Sequence, residues 1–267
     1  MKLPALFGFF VILPVIVLLA TGCKKDKPTD EPSQQTLILQ FDFLVDGEGL
    51  QADTMIYVNE AGNHYMVNEI QFFISDVKLN HSEGNIYQIQ DSKTIHYIDS
   101  DLPETQSWHV SDNIPAGTYS SISFIFGINE EKNQSLIFPN PPESFMFWPE
   151  HLGGGYHYMK LNGKWLDENQ QVRPFNFHLG IGQIYYSFPD SISGFVQNYF
   201  QVALPNSSFT LEKNQTRKIL ITMNIENWFR SPHTYDHDVW GGMIMQNQEA
   251  MKMACENGAD VFTVIIE

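Results

Sequence analysis

What most limits the folds open to this chain is a series of short apolar stretches alternating with period two, each closed by glycine, proline, asparagine or aspartate. Thr36 to Val45 alternates well from Leu37 to Phe43, and Ile122, Phe124 and Phe126 share one face of the segment Ser121 to Gly127. His64 to Leu79 is a longer β-rich run, either one strand with a bulge or two short ones. Further strands are expected at 86–90, 94–98, 156–161, 175–179, 183–188, 199–204, 217–223 and 261–266. Alternation of this kind fits a sheet with one face on a core. About ten short strands with turn chemistry between them make the fold class all-β, an antiparallel β-sandwich or barrel, with the sandwich preferred. A few short helices complete the expectation. They fall at 129–136 and 225–229, and near the C-terminus at 246–256, where Asn257-Gly258 offers a C-cap pair.

The first residues are of another kind. Lys2 precedes an apolar run from Leu3 to Leu19 that Pro4, Gly8 and Pro14 interrupt, and Leu19-Ala20-Thr21-Gly22-Cys23 follows. A charged start, an apolar middle and small residues before a cysteine describe a secretory signal with lipid attachment at Cys23. A transmembrane anchor fits less well, since the stretch is short, broken by prolines and ends at Gly-Cys. Residues 1–22 are thus read as a lipoprotein signal peptide, 23–35 as the lipidated cysteine and a flexible tether, and 36–267 as the folded domain. Lys24 rather than aspartate follows the cysteine, which favours an outer-membrane lipoprotein of the cell envelope over inner-membrane retention.

Fifteen Lys plus Arg stand against 31 Asp plus Glu, a formal charge of −16. Binding of nucleic acid needs a basic footprint, so that class of partner is excluded. Cys255 is the one cysteine besides Cys23, so the domain has no internal disulfide; the thiol is either buried or a soft-metal ligand.

No phosphate loop, nucleophile elbow or zinc-protease helix is present, and the chain is read as non-catalytic. Histidine with aromatics and methionines gathers instead in four places. In Phe145 to Lys160, three glycines (Gly153 to Gly155) permit positive φ or close backbone approach. After them, His157, Met159 and Leu161 would share a strand face. An imidazole and a thioether there suit Cu(I), or are simply core. In Phe175-Asn-Phe-His-Leu-Gly180, Phe175, Phe177 and Leu179 face the core, so His178 points the other way, into solvent or a site. His233 and His237 form a ligand pair only if helical. Pro232 and Gly241-Gly242 suggest a loop, in which Asp236 and Asp238 orient a histidine or bind Ca²⁺. Met251, Met253 and Cys255 lie on the C-terminal helix, where core packing is the default.

An ordered series of motifs carries a resemblance. It runs from Phe41-Asp-Phe43 through Asn63 to Leu79, Ile114-Pro-Ala-Gly-Thr-Tyr119, Phe124-Ile-Phe-Gly-Ile-Asn129, Met146-Phe-Trp-Pro149 and Gly155-Tyr156 to Phe177-His-Leu-Gly180. In order and spacing these resemble the MbnP-like family of periplasmic copper-binding proteins associated with methanobactin operons, in its Bacteroidetes lipoprotein branch. The resemblance implies a β-sandwich holding Cu(I) with histidines, His178 foremost and His157 next; the copper reading adds His96, His237 or Met159 as candidates to complete the shell. It further implies that Trp148 is the position at which a partner di-haem enzyme would oxidise tryptophan to kynurenine. The departures are Ser75, where a metal-binding relative might place histidine, and a C-terminal part with His233, His237 and one cysteine.

The leading expectation is a copper-binding lipoprotein that stores, buffers or transfers the ion. A surface module for glycan or protein, with structural calcium, is the alternative; it requires Trp108, Trp148, Trp165 or Trp240 to be exposed as a patch.

Overall fold

The computed structural model describes residues 35–267. The expected signal peptide, Cys23 and nearly all of the expected tether lie outside the described residues. Two large sheets and a hairpin account for the strands. The larger, nine-stranded sheet runs in the order Val172–Leu179, Met159–Leu166, His64–His81, Gly117–Phe126, Phe200–Leu204 along its main path. The five-stranded sheet is built on Thr36–Val45, which pairs parallel with Thr216–Asn224 and antiparallel with Ser107–Val110. The strands Gly182–Ser187 and Ser191–Val196 form the separate hairpin. Among the described strands all ladders other than Thr36–Val45 with Thr216–Asn224 are antiparallel, as the sequence pattern implied; one isolated parallel bridge joins Asn176 to Met243.

The two sheets close on an aromatic core. Phe41 and Phe43 meet Phe72 at 6.4 and 6.3 Å, Phe124 meets Phe262 at 5.3 Å, and Phe126 meets Trp228 at 5.2 Å. Phe72-Phe73-Ile74 breaks the alternation because both faces of the large sheet are covered here. Phe72 serves the sandwich, whereas Phe73 stacks on Phe138 at 5.4 Å, under the long loop from Ile128 to Tyr158. That loop forms an outer layer over the large sheet, and it carries Trp148 and His157.

The long strand His64–His81 is one strand with bulges. Its register against Gly117–Phe126 slips between Ser75 and Lys78, where Asp76 takes φ +52° and is held by Lys132, Asn129 and Gln88. Ser107–Val110 was not expected as a strand, and Asn129 to Leu136 is a turn capped by Asn129 rather than a helix. The C-terminal helix spans Gln248–Asn257, with Asn247 accepting from the amide of Ala250. Gly258 departs from the expected left-handed cap and stays right-handed at φ −62°. Its glycine is explained by packing, because a Cβ there would lie 2.2 Å from the Phe200 ring.

Candidate metal centre

The site forms where the edge strand Val172–Leu179 meets the loop that covers it. Phe175, Phe177 and Leu179 are buried and alternate with half-buried Asn176 and His178, so His178 faces the outer layer. Opposite it in register lies Lys160, with Asn162 opposite Asn176. These residues share one face of the sheet, since register partners project to the same side.

Three consecutive glycines bring the loop back over this face. Gly153, Gly154 and Gly155 have φ of +123°, +70° and +74°, a run that side chains rarely adopt. Asn133 and Ser135 hold the turn by accepting from the amides of Tyr156 (2.9 Å) and Gly155 (2.8 Å). The chain then runs antiparallel to itself, with Trp148 N–H donating to Gly155 and His157 N–H to Met146. This folding-back places the His157 ring 5.1 Å from that of His178, nearly perpendicular, and 4.6 Å from Trp148. Trp148 is fully buried and donates its Nε1–H to the Leu152 carbonyl. It can lie against the strand end only because residue 180 is glycine, where a Cβ would come 2.6 Å from the ring.

Hydrogen bonding fixes the tautomer of each histidine. His157 Nδ1 faces the Met146 carbonyl at 2.8 Å; a carbonyl only accepts, so Nδ1 carries the proton and Nε2 keeps its lone pair. Asn162 donates from Nδ2 to the Glu69 carboxylate at 3.1 Å, which turns its Oδ1 toward His178 Nε2 at 2.8 Å. His178 therefore donates from Nε2, and its Nδ1 is a buried acceptor with no partner. Burial pushes both rings down to about 3, the neighbouring His157 and Lys160 charges adding to the effect at His178 and Lys160 at His157. The pair is neutral at neutral pH, and each ring keeps one unprotonated nitrogen, Nε2 of His157 and Nδ1 of His178.

The other sequence candidates lie elsewhere. Met159 opens its strand on the inner face, opposite Phe72 and Leu179 in register and across the sheet from His178. His157 does not share that face, because the strand begins only at Met159 and His157 pairs with Met146 instead. His96 stacks on Trp108 at 4.4 Å and on Phe41 at 5.8 Å, bonds the Thr105 carbonyl, and is pushed down to about 4 by burial. His237 begins a one-turn helix and is sandwiched by Phe175 (4.6 Å) and Trp165 (5.5 Å); neither ring nitrogen has a partner. Asp236 caps that turn by accepting from the Asp238 amide; both carboxylates accept from Asn63, and Asp238 accepts from Trp165 Nε1 as well. His233 pairs with Glu256 at the surface, and Cys255 is a half-buried thiol that donates to the Asn198 carbonyl and is pushed up to about 12 by desolvation.

Sequence reasoning missed Asn162 and Glu69, which orient His178. Glu69 also stands with Asp99 and Asp101, their carboxylate oxygens within 4.8 Å of one another. The signal for Asn162 was its parity with Lys160, but its meaning depends on cross-strand register. Trp108, Trp148 and Trp165 are buried and Trp240 half-buried, so these tryptophans form no exposed patch. Among the described residues no helix is long and apolar enough to cross a membrane.

Comparison with known proteins agrees with this architecture. Residues 34–251 match the sequence profile of the MbnP family. Among solved structures the chain is similar to MbnP from Methylosinus trichosporium, at 13% identity and a TM-score of 0.50, over 87% of this chain and 98% of that one. Comparison with curated protein sequences finds no match.

Proposed function

The chain belongs to the MbnP family, and from that premise we propose that it is a non-catalytic envelope lipoprotein holding one Cu(I) between His157 and His178. The observation that carries this reading is the paired lone pairs of two neutral, pre-oriented imidazoles, above all the buried, partnerless Nδ1 of His178. A buried nitrogen acceptor left unpaired costs about 1–3 kcal/mol, which a bound ion removes. Neutral imidazole suits Cu(I), and the water-excluding cover of Trp148 and the glycine turn limits oxidation and exchange. Storage, buffering or transfer of copper follows from such a site.

Two further parts of the reading rest on sequence and resemblance. Cys23 would carry the lipid that tethers the domain to the outer membrane. Trp148, edge-on to His157, would be the residue that a di-haem partner converts to kynurenine.

The test is metal content. Residues 24–267 are loaded separately with Cu(I), Cu(II), Zn²⁺ and Ca²⁺, desalted and analysed by mass spectrometry. One copper per chain is expected, lost in His157→Ala and in His178→Ala. Calcium retained without copper would move the site to the carboxylates, and retention of no metal would defeat the reading.

A further inference from the structure

An open groove of 480 Å³ lies between the hairpin and the segment entering the C-terminal helix. Gln183, Tyr185 and Phe188 line one side, and Met243 and Met245 the other. Met243 is 68% exposed, with aromatic surface beside it. The backbone explains its orientation. Met243 bridges Asn176 on the edge strand in parallel, and the Asn176 amide donates to Gly242. The bridge puts Met243 on the side of the sheet taken by Asn176 and His178, opposite buried Ile244, and Met245 follows in the turn that the Asn247 amide closes on the Ile244 carbonyl.

The floor of the groove contains oxygens without partners. Gln183 is only 2% exposed, yet its Oε1 has no hydrogen bond, and the hydroxyl of Tyr185 is likewise buried and unpartnered. The amide nitrogen of Gln183 donates to the Leu152 carbonyl, the same oxygen that accepts from Trp148 Nε1. One carbonyl thus links groove-lining Gln183 to Trp148, whose ring lies 4.6 Å from that of His157. Two thioethers and aromatic sides make a soft, weakly polar groove open to solvent.

We propose that this groove is an entry site for Cu(I), in which Met243 and Met245 capture the ion and pass it to His157 and His178. The inference rests on the copper reading of the histidine pair. Transfer is ligand exchange alone: sulfur–copper bonds break as nitrogen–copper bonds form, each sulfur regains its lone pair, and copper stays Cu(I). The direction follows from burial and positioning, since the imidazoles are held in place and covered whereas Met243 is exposed and Met245 half-buried in an open groove.

The experiment uses residues 23–267 with methyl-¹³C methionine, titrated with Ag(I) as a redox-silent stand-in for Cu(I) and followed by NMR. Met243 and Met245, assigned from single leucine variants, are expected to shift both in the wild type and in the His157→Ala/His178→Ala variant. Cu(I) delivered from its bathocuproine disulfonate complex is expected to load the Met243→Leu/Met245→Leu variant about tenfold more slowly, with unchanged final occupancy. Unshifted methyl signals while the histidine site fills would overturn the proposal, as would loading of that variant at the wild-type rate. A wild type that gains no tightly held copper defeats the underlying reading and the transfer with it, whatever the methyl signals do.

Discussion

Replacing Asn162 with leucine isolates the orientation of His178 from its mere presence. The substitution removes the oxygen that accepts the His178 Nε2–H at 2.8 Å, and it leaves the Glu69 carboxylate without the Asn162 donor. The ring can then carry its proton on either nitrogen and swing from its present angle, so only part of the population offers Nδ1 to an ion. Loss of such an outer hydrogen bond weakens metal binding about 10–100-fold, or about 1.4–2.7 kcal/mol. Anaerobic competition for Cu(I) against bathocuproine disulfonate measures this directly. Asn162→Asp is the control, because a carboxylate still accepts from Nε2–H while it cannot donate to Glu69. Affinity should therefore stay near the wild-type value in Asn162→Asp, and the lost Glu69 contact should appear as reduced stability. A leucine variant that binds as tightly as the wild type, or an aspartate variant as weak as leucine, would refute the argument from tautomer and orientation.

Other consequences concern stability. His237→Phe should raise the unfolding free energy by about 1–3 kcal/mol in guanidinium titration, because it removes two buried nitrogens that lack partners while keeping the stack on Phe175 and Trp165; a loss of stability would contradict it. Gly180→Ala should destabilise by about 1–3 kcal/mol and shift the tryptophan fluorescence, since its Cβ meets the Trp148 ring. Acid should destabilise the fold through His96, His157, His178 and His237, whose folded-state values lie at about 3 to 4 against 6.5 in the unfolded chain. Their contribution is complete above about pH 6.5 and is lost as pH falls toward those lower values, because the unfolded chain then binds protons that the native one refuses. The slope is at most about 1.4 kcal/mol per pH unit for each histidine, and a flat stability profile between about pH 7 and pH 5 would refute it.

Much of this was legible in the chain itself. The parity of Phe175, Phe177 and Leu179 placed His178 off the core face, and the run Gly153 to Gly155 announced the turn that returns His157 to it. What stayed hidden depends on contacts distant in sequence. Met159 and His157 seemed to share a face because alternation was extended back past Met159, whereas a backbone pairing with Met146 resets the chain there. Asn162 and Glu69 gain their role from strand register, which period-two alternation alone does not supply. Gly258 looked like a helix cap, and only the Phe200 ring against it explains the missing side chain. His96 and His237 are chemically as apt to bind metal as His178, yet their stacking partners make them part of the aromatic core.

The central claim is that one ion lies between His157 and His178, and anomalous scattering at the copper edge from crystals grown with Cu(I) tests it most directly. A single peak about 2 Å from both His157 Nε2 and His178 Nδ1 is the expected result. A peak elsewhere, at Glu69, Asp99 and Asp101 or at His237, or no peak at all, would contradict it.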